Sequence, residues 1–193
     1  MYRWRSAKRF NPPPTQIAVK SDTVSGATEG FTNADHVSET RHRARTYPAK
    51  ADADRALTDK GIKQVKRLAA FCERNQLIPG NLFCSPVLRA QQTADLLHAY
   101  LPGCPAAQST DWLAIGAAPH QIGEQLNLLA NHGGEDIWLV GHEPDFSECI
   151  SQLLNTSADV LCIKKASLTR LEVDFASPHS TTLLWSLPCA LMR

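Results

Sequence analysis

Four consecutive apolar residues, Ile137-Trp-Leu-Val140, sit between Gly133-Gly134 upstream and Gly141 downstream. A run this short and this uniformly apolar offers no face to water. It reads as a β-strand buried on both sides, the environment of a parallel sheet covered by helices on both faces.

The segments around this strand fit that reading. Thr58 is a good N-cap, and Ile62, Val65, Leu68, Ala69 and Cys72 recur behind it at helical spacing, predicting a helix to about Asn75. The Pro79-Gly80 turn leads into a short buried strand ending near Cys84. A second helix follows, with Ala90, Ala94, Leu97 and Leu101 on one face and Pro102 as its stop. Residues 103–118 show no clear pattern. Pro119 opens a third helix bearing Ile122, Leu126 and Leu129, which Gly133-Gly134 ends. After Gly141-His-Glu-Pro144 a fourth pattern carries Phe146, Cys149, Ile150, Leu153 and Leu154. The stretches 168–175 and 181–187 read as strands joined by a Ser177-Pro178-His179 turn, a hairpin. Strands alternating with helices predict an α/β fold: three layers, α/β/α, with a mostly parallel sheet and an antiparallel C-terminal hairpin.

A chain of 193 residues is enough for one such domain. Residues 1–40 are poorly patterned, with three prolines at 12–14 and at most a short strand at Gln16-Ile-Ala-Val19. They are expected to be a disordered or aberrant arm ahead of a domain spanning 41–193. Up to Lys50 basic residues outnumber acidic ones, and Tyr2, Trp4 and Phe10 are interspersed among them. No nucleic-acid module follows, so no nucleic-acid partner is expected. No apolar run approaches membrane-spanning length, and the six cysteines form no Cys-x-x-Cys pair. Reduced thiols, a cytoplasmic location, no membrane partner and no zinc are expected.

In open α/β sheets, ligands gather beyond the carboxyl ends of the strands. Two candidate segments lie there. Ser85-Pro86 suits a helix start, with Ser85 as N-cap and Pro86 as first helical residue, which puts Arg89 in the opening turn. Unpaired amides, the helix dipole and a guanidinium together favour an anion. At the second strand end Gly141 permits a tight turn and His142 supplies an imidazole. Arg41-His42 is a third candidate, although no apolar run precedes it.

In this order, Arg41-His42, Arg55-x-Leu-Thr-x-x-Gly61, Ser85-Pro-x-x-Arg-Ala-x-Gln-Thr93 and Val140-Gly-His-Glu-Pro144 resemble the motifs of the histidine phosphatase superfamily. The short length, the Leu-Thr-x-x-Gly segment and Trp185-Ser-Leu-Pro-Cys189 look most like its SixA-type phosphohistidine phosphatases. The resemblance covers about residues 41–190. It implies a phosphoglycerate mutase-like fold and a phosphatase that needs neither metal nor cofactor. His42 would be the nucleophile, forming a phosphohistidine that water hydrolyses. Arg41 and Arg89 would clamp the phosphoryl oxygens, and His142, protonated beside the dianion, would donate to them. Ser85, Gly141 and Glu143 would support the site. Asp111 and Glu143 are the acids nearest in sequence, neither of them a clear general acid. The implied substrate and partner is a protein phosphohistidine, such as a phosphotransfer domain in signalling. A small-molecule phosphomonoesterase and a non-catalytic phosphate or phosphoprotein binder are the alternatives.

The first motif departs from the family pattern. Members run a buried strand directly into Arg-His-Gly or Arg-His-Ala, whereas here Asn33-Ala-Asp-His-Val-Ser-Glu-Thr40 precedes Arg41 and Arg43 replaces the small residue. Three explanations stand side by side: a mistranslated N-terminal segment, a distant strand such as Ile17–Val19 in the missing position, or a relative that binds phosphate without turnover.

Overall fold

The computed structural model describes residues 16–19, 54–134, 136–161, 163–164, 166–175 and 180–193. In chain order its elements are β1 (Gln16–Val19), α1 (Asp59–Arg74), β2 (Asn81–Cys84), α2 (Leu88–Tyr100), β3 (Gln108–Ser109), α3 (Pro119–Asn131), β4 (Ile137–Val140), α4 (Asp145–Leu153), β5 (Ser167–Asp174) and β6 (Ser180–Pro188).

The apolar run at 137–140 is β4, and every one of its residues is buried. The two-residue period of a strand sends Trp138 and Val140 to one face of the sheet and Ile137 and Leu139 to the other. β2 divides in the same way, with Leu82 and Cys84 on the first face and Phe83 on the second. Against the first face pack Val65, Leu68, Ala69 and Cys72 of α1 and Ala90, Ala94 and Leu97 of α2. Against the second pack Ile122 and Leu126 of α3 and Phe146, Cys149 and Ile150 of α4. The result is the expected three layers, two helices on each side of a sheet. Each large side chain so buried stabilises the fold by roughly 1.5–3 kcal/mol before entropy is counted.

β2 lies parallel to β4 in register from Asn81↔Ile137 to Cys84↔Val140, and β3 adds to the other edge of β2, also parallel. β5 and β6 form the antiparallel hairpin, with a register shift between Arg170 and Leu171. β1 pairs antiparallel with β5 and runs alongside β4. The strands thus form two three-stranded sheets, β3-β2-β4 and β1-β5-β6, and part of the first 40 residues lies where they adjoin, with β1 alongside β4. The hairpin's Ser177-Pro178-His179 turn lies outside the described residues.

Helix boundaries follow local chemistry. The Thr58 hydroxyl accepts from Gly61 N–H at 3.2 Å, making it the N-cap of α1, and Asn75 closes that helix. Pro119 is the first residue of α3, where its missing N–H costs nothing. β3 falls in the stretch whose sequence shows no pattern. It is two exposed polar residues long, so no apolar alternation marks it.

Cys72, Cys84, Cys104, Cys149 and Cys189 are free thiols. Burial pushes the Cys149 thiol up to about 12, and burial together with neighbouring Cys104 does the same for Cys72. Both are neutral at physiological pH, and a neutral thiol is a poor nucleophile. In the folded protein at pH 8, a thiol reagent followed by site mapping is expected to leave Cys72 and Cys149 unlabelled, with both reacting after denaturation. Labelling of either at the rate of a free thiol would contradict this packing.

Candidate active site

Parallel pairing of β2 with β4 brings their carboxyl ends together, and Ser85 N–H donates to Val140 O at 2.9 Å, extending the ladder one residue past β2. The chain after β2 then turns into α2, which begins at Leu88 with Val87 as its N-cap. This corrects the expected start at Ser85-Pro86. The Ser85 hydroxyl caps nothing within the helix; it accepts from Val87 N–H at 3.3 Å and turns toward the second strand end.

There it meets His142. Ser85 Oγ lies 2.8 Å from His142 Nε2, and Arg89 Nη2 lies 3.5 Å from His142 Nδ1. Ser85, Arg89 and His142 are 0%, 5% and 4% exposed, so three polar side chains from two strand ends meet in a buried cluster. Desolvation lowers the guanidinium pKa of Arg89 from its ordinary value. A partly desolvated cation gains more from an incoming anion than one in bulk water.

Other motif residues hold this cluster in place. Thr93 Oγ1 donates to Arg89 O at 2.7 Å within α2. Gln92 Oε1 accepts from Leu57 N–H at 2.6 Å, tying the Leu57-Thr-x-x-Gly61 segment to the helix that carries Arg89. A Cβ on Gly61 would stand 2.9 Å from Leu57 Cγ, so the glycine lets Leu57 pack back over α1. Gly141 is required for a similar reason: its Cβ would fall 2.7 Å from the Phe146 ring. In the sequence Gln92 and Thr93 are motif letters without a role, because their partners are a backbone amide 35 residues away and a carbonyl one turn back.

Glu143 is not bonded to His142 or to a loop amide; its Oε2 accepts a short hydrogen bond from Ser147 of α4. Its other oxygen, Oε1, is buried and has no hydrogen-bond partner among the described residues. Burial raises the carboxyl above its ordinary range, Asp145 and Glu148 reinforce that, and Ser147 opposes it. Asp145, also raised by burial, accepts from Gly116 N–H at 2.9 Å and so anchors the loop before α3 beside this turn. Ser147 and Asp145 have no visible sequence signal beyond their position in an apolar helix. Asp111 is exposed at the start of a 3₁₀ turn following β3, at the same end of the sheet. Arg41 and His42 lie outside the described residues. Of the four expected core residues, the structure brings together Arg89 and His142, with Ser85 in contact with His142.

Residues 38–113 match the model of the histidine phosphatase superfamily (branch 1). No curated protein matches the sequence significantly. Among solved structures, the protein histidine phosphatase SixA complexed with tungstate is similar at a TM-score of 0.72 and 16% identity, over 93% of this chain and 99% of that one. The mycobacterial glucosyl-3-phosphoglycerate phosphatase is similar at 0.62 and 14% identity, over 91% and 98%. The α-ribazole phosphatase from Shigella flexneri follows at 0.58 and 14%, over 91% and 96%. Residues 38–113, less than half of the chain, thus resemble the histidine phosphatase superfamily, and the chain shares its fold with these phosphatases.

Proposed function

We propose that the chain is a phosphohistidine phosphatase acting on a protein phosphohistidine through a covalent intermediate on His42. The observation that carries the reading is the buried contact of Arg89 with His142 where β2 and β4 end. A guanidinium and an imidazole at 3.5 Å, both desolvated, tolerate one another best when a phosphoryl dianion lies against them. The tungstate in the similar SixA structure, an oxyanion, is consistent with such a site. The family match spans Arg41, His42 and Arg89 together.

In this reaction the neutral imidazole of His42 attacks phosphorus, and the bond from phosphorus to the substrate's imidazole nitrogen breaks. The departing ring takes a proton and leaves as neutral imidazole. Arg41 and Arg89 hold the equatorial oxygens, and protonated His142 donates to the charge that builds on them. Water then attacks the phosphohistidine, releasing inorganic phosphate and free His42. A protein phosphohistidine, as on a phosphotransfer domain, is the proposed partner, and the cytoplasm is where such a domain and reduced thiols would be met.

A second reading, a small-molecule phosphomonoesterase, is favoured by the similar folds of the α-ribazole and glucosyl-3-phosphoglycerate phosphatases. The two readings differ in leaving group. An alkoxide requires a strong acid in the pocket, whereas an imidazole does not.

With a radiolabelled phosphohistidine protein, rapid quenching is expected to trap an acid-labile, alkali-stable label on the chain, and His42→Ala to abolish it. Undiminished label in the variant would remove His42 as the nucleophile, and phosphate binding with neither label nor turnover would select a non-catalytic binder. Arg89→Ala is expected to lower kcat/KM by about 10²–10³, the usual effect of deleting a group that stabilises transition-state charge. A loss below about threefold would place the phosphoryl group elsewhere. Turnover of an alkyl phosphate exceeding that of phosphohistidine would favour the phosphomonoesterase.

A further inference from the structure

The geometry points to Ser85 as the residue that fixes the orientation and tautomer of His142, so that Nδ1 and not Nε2 is the edge turned toward a bound anion. The step from tautomer to anion rests on the phosphate-site reading above; the tautomer itself rests on geometry alone.

Arginine carries only donors, so the imidazole nitrogen beside Arg89 Nη2, which is Nδ1, can serve that contact only as an acceptor. In a neutral imidazole the proton must then sit on Nε2, which faces Ser85 Oγ at 2.8 Å. The serine oxygen has two lone pairs. One accepts from Val87 N–H at 3.3 Å, and the other is available to the Nε2 proton. That backbone amide also prevents the hydroxyl from drifting, because Ser85 is itself held in the sheet by its N–H bond to Val140 O. Every link in this chain is buried: Ser85 is fully so, and His142 is 4% exposed. Exchange of the tautomer in place would set the Nδ1 proton against the guanidinium and leave Nε2 without its donor role. Rotation of the ring would exchange both contacts at once.

Ser85 is therefore a positioning residue. It does not touch the anion; it holds the imidazole by its far nitrogen and keeps Nδ1 beside Arg89. Arg89 and the Nδ1 edge then form one surface at the strand ends. An oxyanion that engages the guanidinium displaces the Arg89–Nδ1 contact, and Nδ1 takes up a proton from solvent and donates to the anion while Nε2–H stays on Ser85.

The test uses the ¹⁵N-labelled full chain with inorganic phosphate as probe. Long-range proton–nitrogen correlation, with His142 assigned by its absence in His142→Gln, is expected to show the neutral ring protonated on Nε2. Ser85→Ala is expected to give mixed tautomers and a phosphate Kd raised about three- to tenfold, the scale of one buried hydrogen bond. A wild-type ring protonated on Nδ1 would overturn the assignment, whatever the variant does. So would a folded Ser85→Ala protein with unchanged tautomer and unchanged phosphate Kd. Neither measurement involves turnover, so absence of phosphatase activity would count against the proposed reaction and leave this assignment standing. If the wild type bound no phosphate, the anion site would fall while the tautomer still decided the role of Ser85.

Discussion

The in-register parallel pairing of β2 with β4 is the contact on which the rest of the site depends. It aligns Cys84 with Val140, and the Ser85–Val140 hydrogen bond carries that alignment one residue beyond the ladder. Parallel strands end on the same side of a sheet, so the residues following each are delivered to one place without any direct sequence link. A slip of one residue would exchange the faces of Trp138 and Leu139 and also separate Ser85 from His142. The apolar run at 137–140 thus does two jobs. It fixes the register by burial on both faces, and through the register it fixes the site.

Much of this was legible because burial leaves periodic marks. β4 lies at the predicted residues, and α1 to α4 bury the predicted apolar faces. Failures occurred where energy comes from single polar contacts. Ser85-Pro86 has the chemistry of a helix start, yet the serine hydroxyl is drawn to His142, and the helix begins later without a side-chain cap. Long-range partners such as Gln92 with Leu57 leave no periodic mark either, and neither does Ser147 with Glu143. β3 is too short and too exposed to show an alternation.

The first motif is a separate case. Family members place a strand directly before their Arg-His pair, and no apolar run precedes Arg41 here. β1, from residues 16–19, pairs with β5 at the edge of one sheet and runs beside β4, at the edge of the other, where the two sheets adjoin. Of the three explanations for the departure, this supports a strand from farther upstream standing in the missing position. Its weak flanking pattern and the polar Gln16 explain why sequence gives it little emphasis, since β4, of the same length, is apolar throughout.

The acids near the site bear on the leaving group. Glu143 is raised by burial and so holds a proton more readily than an ordinary carboxyl, which would suit a general acid. Its geometry argues otherwise, because one oxygen is committed to Ser147 and the other is closed off from solvent. To protonate a leaving alkoxide it would have to abandon Ser147 and swing away from α4. Asp111 is exposed at the start of the 3₁₀ turn after β3 and makes no hydrogen bond or ion pair with Arg89 or His142 among the described residues. A pocket provided with cationic and imidazole groups, and with no acid positioned for the leaving oxygen among the described residues, is better matched to a bond whose leaving atom takes a proton easily. Among phosphoryl compounds, the nitrogen of a phosphoramidate meets that condition and the oxygen of an alkyl ester does not, which is why the proposed reaction is cleavage at phosphohistidine.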